Sequence, residues 1–187
     1  NWIPYLQELL EKFNIKKVKK IVPGGSSGQE SIYNGLKAAE KIAGGEKSIV
    51  LIHDGVRPLI NEKTITDNIE SVKKHGSSIT CVKVKETVLV VAEDNSIEDV
   101  PNRADTRLAR APQSFYLDEI IGAHRKAMAE NKYDFIDSCS MMQYYGKKLY
   151  LIEGPQENIK ITTPDDFYTM RALLDAKEEA QIYGLDD

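Results

Sequence analysis

The sequence holds only two cysteines, Cys81 and Cys139, with neither CxxC spacing nor a companion histidine cluster. That excludes a zinc module on sequence grounds and fits a reducing, cytoplasmic setting. No apolar run approaches the ~20 residues of a membrane span, and the N-terminus lacks the basic and apolar regions of a secretory signal, so the chain reads as soluble. The three histidines, His53, His75 and His124, show no spacing to one another or to acids that makes a metal site. No Gly-Lys-Ser/Thr follows the glycines at 24 and 25, which removes a Walker loop, and no Gly-x-Ser-x-Gly occurs, which removes a hydrolase elbow. Positive charge is also not in excess. With a net charge of -4 and Lys and Arg dispersed among acids, nothing argues for a polyanion-binding surface, and nucleic acid is not expected as a partner. Small phosphorylated ligands need only a local cluster of cations. An initiating methionine is missing too: the chain opens on "NWIPYLQELL", already helical in pattern, and is expected to be a fragment lacking upstream residues.

What is present is enough apolar sequence for a sizeable core. At 187 residues and 41% hydrophobic content the chain is most simply a single domain, residues 1–187. Ile3, Leu6, Leu9, Leu10 and Phe13 recur at helical spacing, and Val18, Ile21 and Val22 predict a short strand. Ser26 or Ser27 caps a helix that Gly44 and Gly45 close. Residues 49–52 form a continuous apolar run, the mark of a strand covered on both faces. Ile65, Ile69 and Val72 give a helix over 61–75, stopped by Gly76. Such alternation of strand and helix predicts an α/β fold with a mainly parallel sheet. In the middle, residues 79–103 alternate, turn over at 93–95 and resume, which predicts a projecting β-hairpin arm over about 80–103 that serves as a dimer contact. Helices are expected over 117–128 and 137–145, the second capped by Asp137, and strands over 149–152 and 159–162. Thr163, Pro164, Asp165 and Asp166 make the clearest helix start in the chain.

Ligands of open α/β sheets bind beyond the carboxyl ends of the strands, so "SIVLIHDGVRPLI", residues 48–60, is the first place to look. Asp54 can hold a divalent cation or a sugar hydroxyl, Gly55 lets backbone approach a ligand closely, and Arg57 can grip a phosphate. The same residues also fit an ion pair closing a strand-to-helix turn. "GGSSGQES" precedes a helix and offers backbone N–H groups to a phosphate or a base edge, or is simply a helix start. Arg103, Arg107 and Arg110 gather in a stretch without strand or helix pattern, either a phosphate pocket or a solvated basic loop. Lys160, within "NIKIT", points outward or reaches a ligand phosphate. Cys139, Met141 and Met142 read as helix core.

Taken in order, "PGGSSGQESIYNGL", "VLIHDGVRPLI", "VKETV", "NR" with "APQSF", "IDSCSMMQYYG" and "LIEGPQENIKITTPDDF" resemble the sugar-alcohol phosphate cytidylyltransferases, from about Pro23 to Phe167. These include the methylerythritol phosphate enzyme of isoprenoid synthesis and relatives acting on ribitol 5-phosphate. The resemblance implies a Rossmann-like sheet flanked by helices that transfers CMP from CTP to a polyol phosphate, with Mg2+ as cofactor. It implies that Gly25, Ser31, Asp54, Gly55 and Arg57 bind CTP, that Asp54 and Lys160 are catalytic, and that Asp54 holds the metal. Thr87 and Arg103, on the arm, would reach across a homodimer to the acceptor phosphate, and Asp137 would meet the acceptor hydroxyls. "HDGVRPLI" and "IKITTPDDF" look more like the ribitol branch than the isoprenoid branch, where a double alanine more often precedes Arg-Pro. The sequence departs from the family at Gly28, where an arginine is usual, and at Ala111, where threonine is frequent. It also lacks the glycine-rich N-terminal loop whose arginine and lysine hold the triphosphate, so this stretch by itself is expected to turn over poorly or not at all. A nucleotide binder that has lost catalysis, or a nucleotidyltransferase of other specificity, remains the alternative.

Overall fold

The computed structural model describes residues 2–183. In chain order its elements are α1 (Ile3–Lys12), α2 (Gly28–Ala43), β1 (Ile49–Ile52), α3 (Glu62–His75), β2 (Ser77–Lys83), β3 (Val90–Val91), β4 (Ile97–Asp99), β5 (Arg107–Tyr116), α4 (Leu117–Ala129), α5 (Ser138–Tyr144), β6 (Leu151–Glu153) and α6 (Pro164–Tyr183). They divide into two compact units, one made of the residues up to 50 together with 115–148, the other of 51–114 together with those from 149 on.

In the first unit, α2 begins where the Ser27 side chain accepts the N–H of Glu30 at 3.1 Å and ends at Gly44, whose φ of 59° is the left-handed conformation glycine adopts freely. Its Leu36 is buried, as are Leu117, Ile120, Ile121 and Ala127 of α4 and Met141 and Met142 of α5, and α4 packs against both α2 and α5. The reading of Met141 and Met142 as core therefore holds. Gln29 is buried as well, and its amide is fully employed: Nε2 donates to the Lys132 carbonyl and Oε1 accepts the Phe135 N–H. Arg125 of α4 grips both carboxylate oxygens of Glu40 on α2, at 2.9 and 2.7 Å. The strand expected over 18–22 does not form. Those residues run irregularly, with Val18 exposed and Ile21 and Val22 half-buried, because a strand needs a ladder partner and none pairs with them among the described residues.

The second unit carries most of a four-stranded sheet in the order β1-β5-β2-β6. β2 and β6 pair in parallel, with Ile79 opposite Leu151 and Cys81 opposite Glu153. α3 packs on β2 and stops at Gly76, as its sequence signals, while Asn61, expected as its first residue, stands just before it as the cap. Asn68 of α3 is wholly buried and donates to the Thr64 carbonyl and to Thr80 Oγ1 of β2, while accepting from Ser114 Oγ of β5. Polar residues thus lock this helix to its sheet. β1 is half-buried along its length rather than covered on both faces, because it is an outer strand of that order. The segment with Arg107 and Arg110, read as patternless, is the long strand β5, and its buried half spells Ala-Pro-Gln-Ser-Phe. The arm begins later than residue 80, since 77–83 belong to β2. Its hairpin is β3 with β4, turning at Asn95, whose φ is 67°. Residues 159–162 form no strand; the Ile159 N–H donates to the Glu157 carbonyl at 2.7 Å and the Ile161 N–H to the Val56 carbonyl at 2.9 Å.

Candidate functional site

The exit of β1 is built by a turn in which the Arg57 N–H returns to the Asp54 carbonyl at 3.0 Å. His53 Nε2 lies 2.9 Å from the Arg57 carbonyl and holds the same turn from the other side. Arg57 then folds back, donating from Nε to Asp54 Oδ2 at 2.9 Å and from Nη1 to the Asn158 carbonyl at 2.9 Å. Its side chain is 11% exposed, whereas that of Asp54 is 38% exposed. Lys160 Nζ reaches the same carboxylate oxygen at 3.6 Å. Three of the expected residues, Asp54, Arg57 and Lys160, are therefore one cluster.

Two more residues join it, one of them, Asn158, left aside by sequence reasoning. Asn158 is fully buried and donates to the Ala111 carbonyl at 2.8 Å, so it fixes the backbone that receives Arg57 and presents Lys160 two residues on. Arg110 donates to the Gln156 carbonyl at 2.9 Å. Burial, chiefly, and then the nearby Arg57 cation make the charged form of Arg110 harder to keep, with Glu157 giving part of it back. No pattern marks Asn158, which only the tertiary contact reveals; Arg110 stood among the three arginines. Beyond Lys160, Asp166 Oδ2 accepts the N–H groups of Thr162 and Thr163 at 2.9 and 2.8 Å and fixes the chain as it enters α6. Arg57 and Lys160 meet the Asp54 carboxylate, and Arg110 lies near Arg57 with Glu157 close by, so three cations against two carboxylates leave one positive charge in excess, which suits an anion such as a phosphate.

The arginines do not otherwise converge. Arg107 donates to the Ala104 and Thr106 carbonyls, while exposed Arg103 donates to the Lys85 carbonyl at 3.2 Å. That bond pins the segment leading to Thr87, which is exposed, so the two expected acceptor residues share the arm. Gly55 is exposed with open space at its Cα.

In the first unit, the Gly25 N–H donates to Ser31 Oγ at 2.9 Å, and that hydroxyl donates to the Ser27 carbonyl at 2.9 Å. Glu30 Oε2 accepts from the Ser26 N–H and hydroxyl at 2.6 and 2.7 Å, which holds its carboxyl below the usual range. A Cβ on Gly25 would collide with the Glu30 side chain, so this loop conformation requires glycine there. Asp137 caps α5: its Oδ1 accepts the Ser140 N–H at 2.8 Å, and its own N–H donates to Ser140 Oγ at 3.3 Å.

For a metal, Asp54 is the carboxylate of the charged cluster, and no group of three or more His, Cys, Asp or Glu gathers among the described residues. Magnesium held by one carboxylate and by phosphate oxygens needs no further protein ligand, so the fit is to an ion shared with a phosphorylated substrate.

The chain is 51% identical over 185 residues to the ribitol-5-phosphate cytidylyltransferase of Streptococcus agalactiae serotype V, covering 99% of this chain and 77% of that protein. It is 39% identical over 170 residues to the 2-C-methyl-D-erythritol 4-phosphate cytidylyltransferase of Clostridium novyi, covering 91% and 71%. Its fold is similar to the crystal structure of the 4-diphosphocytidyl-2C-methyl-D-erythritol synthase of Anaerococcus prevotii, with a TM-score of 0.83 at 28% identity, over 93% of this chain and 77% of that one. The α/β Rossmann-like class follows from that likeness. With the family model for IspD, 2-C-methyl-D-erythritol 4-phosphate cytidylyltransferase, matching residues 3–176, the chain belongs to this family of cytidylyltransferases.

Proposed function

We propose that this chain, as one nucleotidyltransferase domain, transfers CMP from CTP to ribitol 5-phosphate, giving CDP-ribitol and pyrophosphate. The observation that carries the choice of acceptor is the 51% identity to a ribitol-5-phosphate cytidylyltransferase along 99% of the chain, against 39% for the methylerythritol phosphate enzyme. An oxygen of the acceptor phosphate attacks the α-phosphorus of CTP. The new P–O bond forms as the bond to the β-phosphate oxygen breaks, and that oxygen leaves as pyrophosphate. No covalent enzyme intermediate is needed; positioning and charge neutralisation supply the catalysis.

Lys160 and Arg57, with Arg110 near Arg57, offset the negative charge that gathers on the phosphates. Asp54 keeps Arg57 and Lys160 in place through its Oδ2 and would hold magnesium, which when bound supplies further neutralisation of the triphosphate. Gly25 and Ser31 serve the cytosine, Gly55 permits close approach of backbone to the nucleotide, and Asp137 meets the acceptor hydroxyls. Thr87 and Arg103 hold the acceptor phosphate of a partner subunit. Support for a homodimer lies in the arm, where Leu89, Val90, Val91, Ile97 and Val100 are exposed apolar side chains. Among the described residues no helix is long and apolar enough to cross a membrane, and we place the reaction in the cytoplasm.

The test is magnesium-dependent pyrophosphate release from CTP by the full coding-region product, with ribitol 5-phosphate and methylerythritol 4-phosphate in parallel. Release with ribitol 5-phosphate is expected. Preferential use of the other acceptor refutes the choice of branch, and silence with both refutes the transferase. Sedimentation of that product as a monomer at micromolar concentration would remove the cross-subunit roles of Thr87 and Arg103.

A further inference from the structure

β1 ends at Ile52, and the turn over residues 53–57 decides where the charged cluster points. Three main-chain carbonyls in that turn have assigned donors. The Asp54 carbonyl accepts the Arg57 N–H at 3.0 Å, and the Val56 carbonyl accepts the Ile161 N–H at 2.9 Å, which joins the turn to the segment carrying Lys160. The third, that of Arg57, is met by a side chain, His53 Nε2, at 2.9 Å. The next residue, Pro58, has no N–H to offer.

A carbonyl only accepts, so the ring nitrogen facing it carries the proton. The other nitrogen, Nδ1, is shut off from solvent and has no hydrogen-bond partner among the described residues. Buried polar atoms are ordinarily paired, so an imidazole is a poor occupant of this position unless its one bond matters. Together with the Arg57 N–H bond to Asp54, that bond fixes both main-chain polar groups of Arg57. With its backbone held, Arg57 aims Nε at Asp54 Oδ2 and Nη1 at the Asn158 carbonyl, each at 2.9 Å. Asp54, 38% exposed, keeps its carboxylate open to a ligand, with Lys160 Nζ 3.6 Å from the same oxygen. On the basis of the CMP transfer proposed above, we propose that His53 is a positioning residue for it: by holding the Arg57 carbonyl, it fixes the Asp54–Arg57 pair in the orientation that receives CTP. His53 acts through that pair and not on the nucleotide itself.

Three substitutions test this in the full coding-region product. His53→Phe keeps a ring and removes the donor. His53→Gln carries its amide N–H at the same remove from Cβ as imidazole Nε2, whereas His53→Asn carries it one bond short. His53→Phe and His53→Asn should raise KM for CTP about tenfold, the order of one hydrogen bond, and leave KM for ribitol 5-phosphate at the parent value. His53→Gln should bring KM for CTP back to within about threefold of the parent. A fold that is merely weakened lowers the active fraction and moves neither KM. Exchange of the Arg57 Nε–H with solvent, followed by NMR on protein labelled with 15N-arginine, reads the brace without turnover. It should quicken about tenfold in His53→Phe and His53→Asn but not in His53→Gln. If the parent transfers no CMP, the proposed reaction fails, and the Arg57 exchange then decides for or against the brace by itself. A parent-like KM for CTP or a parent-like Arg57 exchange in His53→Phe overturns the proposal, as does a loss in His53→Gln as large as in His53→Phe.

Discussion

Replacing Arg57 tests the reasoning about the β1 exit most directly. Arg57→Ala removes two hydrogen bonds from one guanidinium, to Asp54 Oδ2 and to the Asn158 carbonyl, each 2.9 Å long. Hydrogen bonds involving a charged group contribute about 1.5–3 kcal/mol each. Asp54, at 38% exposure, can recover water once its partner is gone, so its share falls at the low end. The carbonyl belongs to a wholly buried residue and stays stranded, at a cost of about 1–3 kcal/mol. Together the loss is about 3 kcal/mol, and at about 2–4 °C per kcal/mol for a chain of this size the melting temperature should drop by roughly 6–12 °C. Arg57→Lys keeps the charge but has a single nitrogen, which cannot serve both acceptors, so it should recover only about half of the loss. Thermal unfolding followed by circular dichroism at pH 7 reads both variants. A parent-like melting temperature for Arg57→Ala, within about 2 °C, or full rescue by lysine, would refute the two-point brace.

Three further outcomes follow from single residues. Asp137→Ala should cost about 0.5–2 kcal/mol through loss of the α5 cap, whereas Asp137→Asn keeps the cap; urea unfolding separates them, and an asparagine variant that is stable but impaired in turnover would mark a role at the acceptor. Asp166, held down to about 2 first by the Thr162 and Thr163 N–H groups, should titrate near that value by carboxyl NMR; its stabilising contribution is complete above the unfolded value of 3.8 and is lost as pH falls through about 2. His124, pushed down to about 4 by burial, takes up its proton in the unfolded chain before the folded one, so falling pH should destabilise the protein between 6.5 and about 4. His124→Phe should show a shallower loss over that window, and identical slopes for the two proteins would contradict the assignment.

Local chemistry made several elements legible in the sequence. Ser27 and Gly44 bracket α2, Gly76 stops α3, and Asp137 caps α5, because caps and stops satisfy nearby backbone groups and need no distant partner. The apolar run ending in Asp54 and Arg57 was readable as a strand exit for a related reason: one short stretch holds both the strand and the charges placed after it. Strand partners were not legible. Residues 18–22 are apolar yet unpaired, while β5 hides behind Arg107, Arg110 and Pro112, its buried half carrying a glutamine and a serine where the pattern calls for apolar side chains. Ser114 is tolerated there because Asn68 accepts its hydroxyl, a contact 46 positions away along the chain. The site divides in the same way: the sequence set Asp54 and Arg57 side by side and Lys160 far from both, and only the fold brought Lys160 to within 3.6 Å of Asp54 and placed the Asn158 carbonyl beneath Arg57. The sequence by itself determined the helices and the residue types of the charged cluster, since capping and periodicity act within a few residues. Tertiary structure decided the strand order and the burial of Asn158 and His124, since hydrogen-bond satisfaction between distant segments exists only once the chain has folded.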